Sequence, residues 1–182
     1  MKLERDLLAA QSNVRQSHID RVLDLGLTSE AVAKVGRNQL PFGVLRIATE
    51  KERWWPDPQG FWAMVVPVLE NGREIDIVAF RTDQPTRWWW RIGCAPFLGA
   101  DLLHSLWDDG PLRIAATPLD WLREGGEALT ILDWDAPYFD LIPLLNRERL
   151  MCADDLLAVR LRKRLANRPE LPSIIARVAS HA

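Results

Sequence analysis

Apolar and polar residues alternate with a helical period near the start of the chain. Over residues 17–36, Ile19 and Val22 recur at helical spacing, and Gly26 interrupts the pattern before it resumes. The sequence therefore predicts two short helices joined at a glycine. Both DNA-reading helix-turn-helix motifs and plain helical hairpins packed on a core have this arrangement, and the second helix carries only Lys34 for contact with DNA.

A period of two marks a β-hairpin in the middle of the chain. Segments 61–70 and 73–80 are rich in strand-forming residues and flank Asn71-Gly72, a pair that suits a two-residue type I′ turn. The turn fixes which residues of the two strands face each other. The resulting pairs place apolar residues on one face of the hairpin, and Trp62 extends that face. The facing pairs are Glu70 with Arg73, Val68 with Ile75, Val66 with Ile77, and Met64 with Ala79. Pro67 cannot donate a ladder hydrogen bond, which places the first strand at a sheet edge or Pro67 at a bulge.

Three consecutive tryptophans, residues 88–90, form the predicted third strand of this meander. With a four-residue loop before it, the first and third tryptophans join the apolar face, and Trp89 points outward between Arg87 and Arg91. A five-residue loop would invert this arrangement. We favour the first register because it places Asp76 opposite Arg91 and buries no lone arginine.

A compact strand-helix-strand unit follows. Segments 111–116 and 127–134 predict two strands, and 117–126 predicts the helix between them. Thr117 suits the N-cap and Pro118 the first helical position, and two glycines end the helix. The crossover is near the shortest that joins parallel strands, so the unit predicts a parallel pair.

The remaining segments are assigned from the same signals. Two prolines interrupt residues 135–146, whereas 153–169 has acids in its first turn, bases in its last turn and a leucine stripe. The predictions are a short strand at 43–47, a loop at 50–60, a short helix at 99–107, an irregular segment wrapping the sheet edge at 135–146, an amphipathic helix at 153–169 and a short terminal helix at 171–182.

Together these elements predict a single α+β domain over residues 1–182. Its parts are a helical section at 1–40, a sheet-containing core at 41–135 and a helical section at 136–182, and the core holds an antiparallel three-stranded meander and a βαβ unit. A chain of 182 residues, of which 48% are hydrophobic, is long enough to bury such a core.

Composition and charge narrow the class of protein. No apolar run approaches the roughly 18 residues that span a bilayer, and the N-terminus lacks the apolar stretch of a secretory signal. Cys94 and Cys152 are too few for a disulfide framework or a four-cysteine zinc site. We therefore expect a cytoplasmic protein that does not associate with membranes. The sequence gives no signal for an oligomeric state.

Charge is unevenly distributed along the chain. The net charge is -2, but residues 101–146 carry nine acids and two bases, whereas residues 147–182 carry eight bases and four acids. Neither part is basic enough to identify a nucleic-acid-binding protein from electrostatics alone. An alternative interpretation is that the acidic part and the basic part pair with each other within the protein.

Two carboxylates offer candidate metal chemistry. Asp133 and Asp135 lie on one side of an extended chain at the end of the second predicted parallel strand, where open α/β sheets place their sites. Such a pair can share Mg²⁺ or Mn²⁺, with Asp140 assisting. The alternative is that both are solvated acids beside a proline turn.

A second candidate is a surface for single-stranded nucleic acid. Aromatic rings stack on unpaired bases and arginines hold phosphates. The predicted nucleic-acid-binding residues are Arg87, Trp89, Arg91, Arg160, Arg162, Lys163 and Arg164, and the predicted partner-binding residues are Trp54 and Trp55. The alternative is that most of the tryptophans build a core and the basic residues form the solvated side of a helix.

The order of elements in PLRIAATPLDWLREGGEALTILDW resembles the opening βαβ unit of toprim domains, the metal-binding folds of primases and topoisomerases. The preceding tryptophan-rich meander is similar to segments of phage and plasmid primase-like proteins, so that the resemblance covers residues 61–135. It implies a catalytic glutamate at the end of the first strand, where this chain has Ala116-Thr117-Pro118, and a later Asp-x-Asp that follows a further strand. The resemblance therefore implies a non-catalytic relative.

These patterns predict a non-catalytic accessory protein of phage or plasmid type that binds nucleic acid or a replication or repair partner and needs no cofactor. One alternative is a metal-dependent enzyme that acts on nucleic acid or nucleotides through Asp133 and Asp135 with Mg²⁺ or Mn²⁺. The other is a protein-interaction module that uses exposed tryptophans as anchors.

Overall fold

A computed structural model describes residues 2–36, 40–104 and 110–166, and the predicted α+β class is confirmed. The helices are α1 (Lys2–Ser12), α2 (Gln16–Asp24), α3 (Ser29–Gly36), α4 (Pro118–Arg123), α5 (Tyr138–Leu145) and α6 (Asp155–Ala166). The strands are β1 (Gly43–Glu50), β2 (Arg53–Pro56), β3 (Phe61–Glu70), β4 (Arg73–Arg81), β5 (Gln84–Trp90), β6 (Phe97–Leu98), β7 (Leu112–Ala115), β8 (Leu129–Ile131) and β9 (Leu150–Cys152).

The first five strands close into a barrel in the order β1-β2-β5-β4-β3. Because side chains alternate between the two faces of a strand, one set from every strand fills the interior. α1 packs on the barrel through Leu7 and Ala10. Gly43 allows this close approach, since a Cβ there would lie 2.5 Å from that of Ala10. The interior residues are Ile47, Trp54, Ala63, Val65, Ile77, Ala79 and Trp89.

The outer face of β3, β4 and β5 is also buried over much of its area, because the second layer of the protein packs against it. Met64, Val66 and Phe80 share a cluster with Leu119 and Leu122 of α4. Burial on both faces explains why these strands are nearly continuous apolar runs.

The predicted hairpin register is correct next to the turn and wrong from Val68 onward. Glu70 faces Arg73 and Leu69 faces Glu74 as predicted, but a bulge near Ile75 shifts the pairs from Val68 onward by one residue. The observed pairs are Val68 with Asp76, Pro67 with Ile77, Val66 with Val78, Val65 with Ala79, and Met64 with Phe80. The β1 ladder ends at Val65, so that Pro67 lies where β3 has no neighbour from β1.

The third strand adopts the inverted register, so the prediction that Trp89 points outward is wrong. Trp89 pairs with Ala79 and is 4% exposed inside the barrel. The inverted register carries Arg91 toward the interior. α1 provides a counterion, because Asp6 lies 2.8 Å from the Nε of Arg91.

The second layer is a four-stranded sheet in the order β6-β8-β7-β9. β7 runs parallel to both β8 and β9, and α4 connects β7 to β8. Thr117 caps α4 through its side chain and Pro118 is in the first turn, as predicted. α4 packs toward the barrel. α5 and α6 pack on the other side of this sheet and form a separate cluster with its side chains.

Several local predictions are corrected. The predicted loop at 50–60 contains β2, because Trp54 enters the barrel. The predicted irregular segment at 135–146 contains α5, with Pro143 inside the helix, and β9 was not predicted. The predicted helix at 99–107 is a 3₁₀ turn over Ala100–His104, and residues 105–109 lie outside the described part. The terminal helix predicted at 171–182 also lies outside it.

Candidate nucleic-acid interface

A crevice of about 230 Å³ opens where the three parallel strands end. Thr117 follows β7, Trp134 follows β8 and Asp154 follows β9, and all three line it. α4 leaves β7 toward the barrel, whereas α6 leaves β9 on the other side of the sheet. Open α/β sheets bind ligands where neighbouring connections diverge in this way. We call this site the tryptophan crevice; its lining is Thr86, Trp88, Ala116, Thr117, Trp134, Asp154, Leu156, Leu157 and Arg160.

Two indoles from distant parts of the chain line the tryptophan crevice. Trp88 of β5 donates its Nε1 hydrogen to the carbonyl of Leu132, 3.0 Å away. The Arg160 guanidinium lies 3.9 Å from the centre of the Trp134 ring, a cation–π contact. Arg164 donates from Nε to the carbonyl of Trp134 at 2.8 Å and also bonds the carbonyl of Ala136, so α6 holds the chain around this ring. Both rings are partly exposed.

Two polar residues of the crevice, Thr117 and Asp154, cap helices. The Thr117 hydroxyl accepts a hydrogen bond from the Asp120 backbone N–H at 3.1 Å and donates to its carboxylate. Asp154 Oδ1 accepts from the Leu157 N–H at 2.7 Å and so caps α6. Arg160, which is exposed on the crevice wall, is therefore the charged group best placed to meet a ligand.

The predicted nucleic-acid-binding residues in and just after β5, which are Arg87, Trp89 and Arg91, do not form a common surface. Arg87 is exposed, and its guanidinium lies 5.2 Å from the centre of the buried Trp89 ring. Arg91 is ion-paired to Asp6 and its side chain is 11% exposed. It also lies 5.4 Å from the centre of Trp54. Of this predicted trio, only Arg87 is available to a ligand.

The four basic residues of α6 face different ways. Arg160 lines the tryptophan crevice, and Arg164 is partly buried by its bonds to main-chain carbonyls. Arg162 lines a separate groove, and Lys163 is exposed. The predicted basic residues therefore lie on different sides of α6 and do not form one patch.

The predicted partner-binding tryptophans are separated by the barrel wall. Trp54 is 1% exposed and donates its Nε1 hydrogen to the carbonyl of Ile77, so it is unavailable to a partner. Trp55 is 40% exposed on the outer face. Trp62, which was predicted to face the core, is 51% exposed and lies beneath the Arg46 guanidinium, 5.1 Å from it. Trp55 and Trp62 flank β1 on this face.

The predicted carboxylate pair forms a turn. Asp133 Oδ1 accepts a hydrogen bond from the Asp135 backbone N–H at 2.8 Å, the geometry of an Asx-turn. Asp133 and Asp140 line a second cleft of about 220 Å³, together with Arg53 and Cys94, whereas Asp135 does not. Among the described residues, no group of three or more acidic, histidine or cysteine side chains is arranged to hold a metal ion.

The fold raises the pKa of both thiols. Burial, with a further contribution from the Asp76 carboxylate, raises the pKa of Cys94 above its ordinary value. Burial also raises the pKa of Cys152, although Arg162 acts in the opposite direction. The structure therefore gives neither thiol the lowered pKa of a catalytic cysteine.

Sequence reasoning did not identify the two indoles of the crevice as site residues. The sequence pattern predicts that Trp88 lies in the core, and at the strand end that holds Trp134 it predicts a carboxylate site formed by Asp133 and Asp135. The available signal was the position of Trp134 itself, because a large aromatic residue just beyond a parallel strand lies at the edge where ligands bind.

No known protein family, curated protein or solved structure matches this chain. The resemblance to toprim domains consequently rests on the sequence pattern alone. None of the helices in residues 2–36, 40–104 and 110–166 is long and apolar enough to cross a membrane.

Proposed function

We propose that this protein is a non-catalytic accessory protein of phage or plasmid type that binds single-stranded nucleic acid, with an unpaired base in the tryptophan crevice. One observation carries the proposal: Trp88 of β5, Trp134 in the segment after β8 and Arg160 of α6 meet at the end of the parallel sheet where its connections diverge.

The chemistry of the crevice suits a flat aromatic ligand attached to phosphate. Each base stacked on an aromatic side chain contributes roughly 1–3 kcal/mol, and every base has such a face, so the binding tolerates different sequences. Arg160 already covers one face of Trp134, so a base entering the crevice would stack on the guanidinium or on Trp88. A base inside a duplex is stacked and paired, which favours single strands.

Basic side chains flank the tryptophan crevice where phosphates would lie. Lys163 is one helical turn beyond Arg160 and is exposed, and Arg87 is exposed next to Trp88 in β5. The non-catalytic character is supported by the residues at the end of β7. Where the toprim resemblance implies a glutamate, Ala116 lines the crevice and Thr117 caps α4.

Fluorescence anisotropy with a labelled oligothymidine tests this proposal. We expect saturable binding that weakens as salt rises, because phosphate contacts release counterions. Arg160→Glu should weaken binding about tenfold or more, whereas Arg162→Glu, the same charge change on the other side of α6, should have little effect. No binding at low salt, or equal losses for the two variants, would rule the proposal out. Circular dichroism checks that both variants are folded.

A second candidate function is binding of a replication or repair protein, favoured by the exposure of Trp55 and Trp62 on one barrel face. Exposed tryptophans are frequent anchors of protein interfaces. A photo-crosslinking amino acid at Ala48, which faces Trp55 across β1 and β2, should capture a specific protein in cells. Trp55→Ala should abolish that crosslink, and a crosslink that persists would count against this function.

A further inference from the structure

β9 lies at an edge of the second sheet, and β7 is its only partner among the described strands. The Arg149 carbonyl and the Ala153 N–H both bond to β7. Because the backbone groups of a strand alternate between its two sides, those of Leu150 and Cys152 point away from β7. The edge therefore presents donors and acceptors in the arrangement that another strand would complete.

A groove of about 610 Å³ runs along this edge, between β9 and α6. Leu150 and Cys152 pack in the same cluster as Leu161 and Leu165, so the α6 side of the groove is apolar. Met151 is 49% exposed on the opposite face of the strand. The complete lining is Leu150, Met151, Cys152, Ala153, Asp154, Asp155, Ala158, Leu161, Arg162 and Leu165.

Charges of opposite sign mark the groove. Asp154 and Asp155 lie at its start, where β9 turns into α6, and Arg162 lies about two helical turns further along. The fields of Arg162 and Asp154 both reach Cys152 and shift its pKa in opposite directions, while burial raises it most. A ligand with a carboxylate next to Arg162 would therefore complement the positive charge at that end of the groove.

We propose that the groove between β9 and α6 binds an extended peptide of a partner protein, which adds as a strand to β9 and places a carboxylate against Arg162. Main-chain hydrogen bonds to Leu150 and Cys152 would provide affinity, and alternate side chains would enter the apolar side of the groove. The carboxylate is either a terminal one or that of an acidic residue. The groove and the tryptophan crevice meet at Asp154, which lines both, but they use different residues of α6, Arg162 in the groove and Arg160 in the crevice.

Selection of a random peptide library, displayed on phage, against the full chain tests this inference. We expect recovered peptides with aliphatic residues at alternate positions and a carboxylate at one end. Synthetic peptides of these sequences should bind in a saturable way by anisotropy. N-methylation of their backbone at alternate residues should abolish binding, because it removes the donors of an added strand and leaves the protein unchanged.

Matched variants locate the binding. Arg162→Glu should weaken binding about tenfold or more, the size of a lost charge-assisted hydrogen bond, and a peptide with lysine in place of the carboxylate should restore it. Lys163→Glu, which makes the same charge change outside the groove, should have little effect. Recovery of no such peptides, equal loss in both variants, or undiminished binding of the N-methylated peptides would overturn the proposal. Self-association of the chain that Arg162→Glu abolishes would also overturn it, since the occupant would then be a second copy.

Discussion

Asp6 and Arg91 are 85 residues apart in sequence, yet Asp6 Oδ2 lies 2.8 Å from Arg91 Nε. Their side chains are 6% and 11% exposed, and the pair joins α1 to the end of β5. This ion pair allows the inverted register of the tryptophan strand, because it neutralises the arginine that this register carries toward the interior.

Removing one partner of this pair should destabilise the fold. We expect Asp6→Ala to lower the free energy of unfolding by about 3 kcal/mol, since it leaves a largely buried guanidinium without its counterion. Urea denaturation measures the effect. Arg5→Ala is the control, because Arg5 is 79% exposed and approaches Asp6 only to 3.9 Å, and it should change stability by less than about 0.5 kcal/mol.

A second buried carboxylate organises the chain that leaves the barrel. Asp76 is fully buried, and its oxygens accept backbone hydrogen bonds from all four residues 91–94, including Gly93 at 2.6 Å and Cys94 at 3.1 Å. Asp76→Asn would turn an amide NH₂ toward these donors, so we expect a loss of about 2–3 kcal/mol. A loss below about 0.5 kcal/mol in urea denaturation would contradict this role.

The same variant makes a prediction about pH. Burial is the larger cause of the raised pKa of Cys94 and the Asp76 charge is the next, so Asp76→Asn should lower this pKa while leaving it above the ordinary value. The rate of reaction with a disulfide reagent, measured against pH in the Cys152→Ala background, reports the fraction of thiolate. In the parent protein the raised pKa of Cys94 favours the neutral thiol in the folded state. The contribution of this thiol to stability is therefore present below the ordinary thiol pKa and is lost as pH rises through the pKa of Cys94 in the folded protein.

The contact between α1 and the barrel predicts a steric effect. A Cβ added at Gly43 would lie 2.5 Å from the Ala10 Cβ and 2.7 Å from its backbone carbon. Gly43→Ala should therefore displace α1 and reduce stability by about 1–3 kcal/mol. Gly36→Ala is the control, because the nearest atom to its new Cβ is 3.4 Å away. If the two variants have similar melting temperatures, α1 moves away from the added Cβ at Gly43 without a loss of stability, and the prediction is wrong.

The carboxylate turn provides a test of the metal-dependent alternative. Because Asp133 caps the Asp135 N–H, Asp133→Ala should lower stability by about 1 kcal/mol. If the turn is its role, adding magnesium or manganese should leave the melting temperature of the parent unchanged. A rise in melting temperature with metal that Asp133→Asn abolishes would instead support a metal site.

The sequence predicted features that depend on neighbouring residues better than those that depend on distant ones. The Asn71-Gly72 turn and the capping of α4 are local, and both were predicted correctly. The register of the tryptophan strand depends on Asp6, far away in sequence, and pairing rules alone selected the wrong alternative. The bulge near Ile75 shifted the hairpin for a similar reason, because both faces of β4 are buried and no polar face fixed its register.

Two missed elements show the limits of composition as a guide. The segment that holds β2 has charges, prolines and a glycine, and only the closure of the barrel draws Trp54 inside. In the second case a proline masked a helix, because α5 tolerates Pro143 in its interior. The tryptophan crevice was equally hidden, since its walls come from β5, β8 and α6 and no stretch of sequence contains all three.

The barrel closes along a very short seam. β2 and β5 share only the pair Arg53 with Trp90, next to the hydrogen bond from the Trp90 N–H to the Glu52 carbonyl at 2.9 Å. Few bonds must break to part these strands, so we expect the Trp90 amide proton to exchange with solvent earlier than the amide protons of the longer ladders. Such an opening would expose the indoles of Trp54 and Trp89 together with two unpaired strand edges, a combination that promotes aggregation.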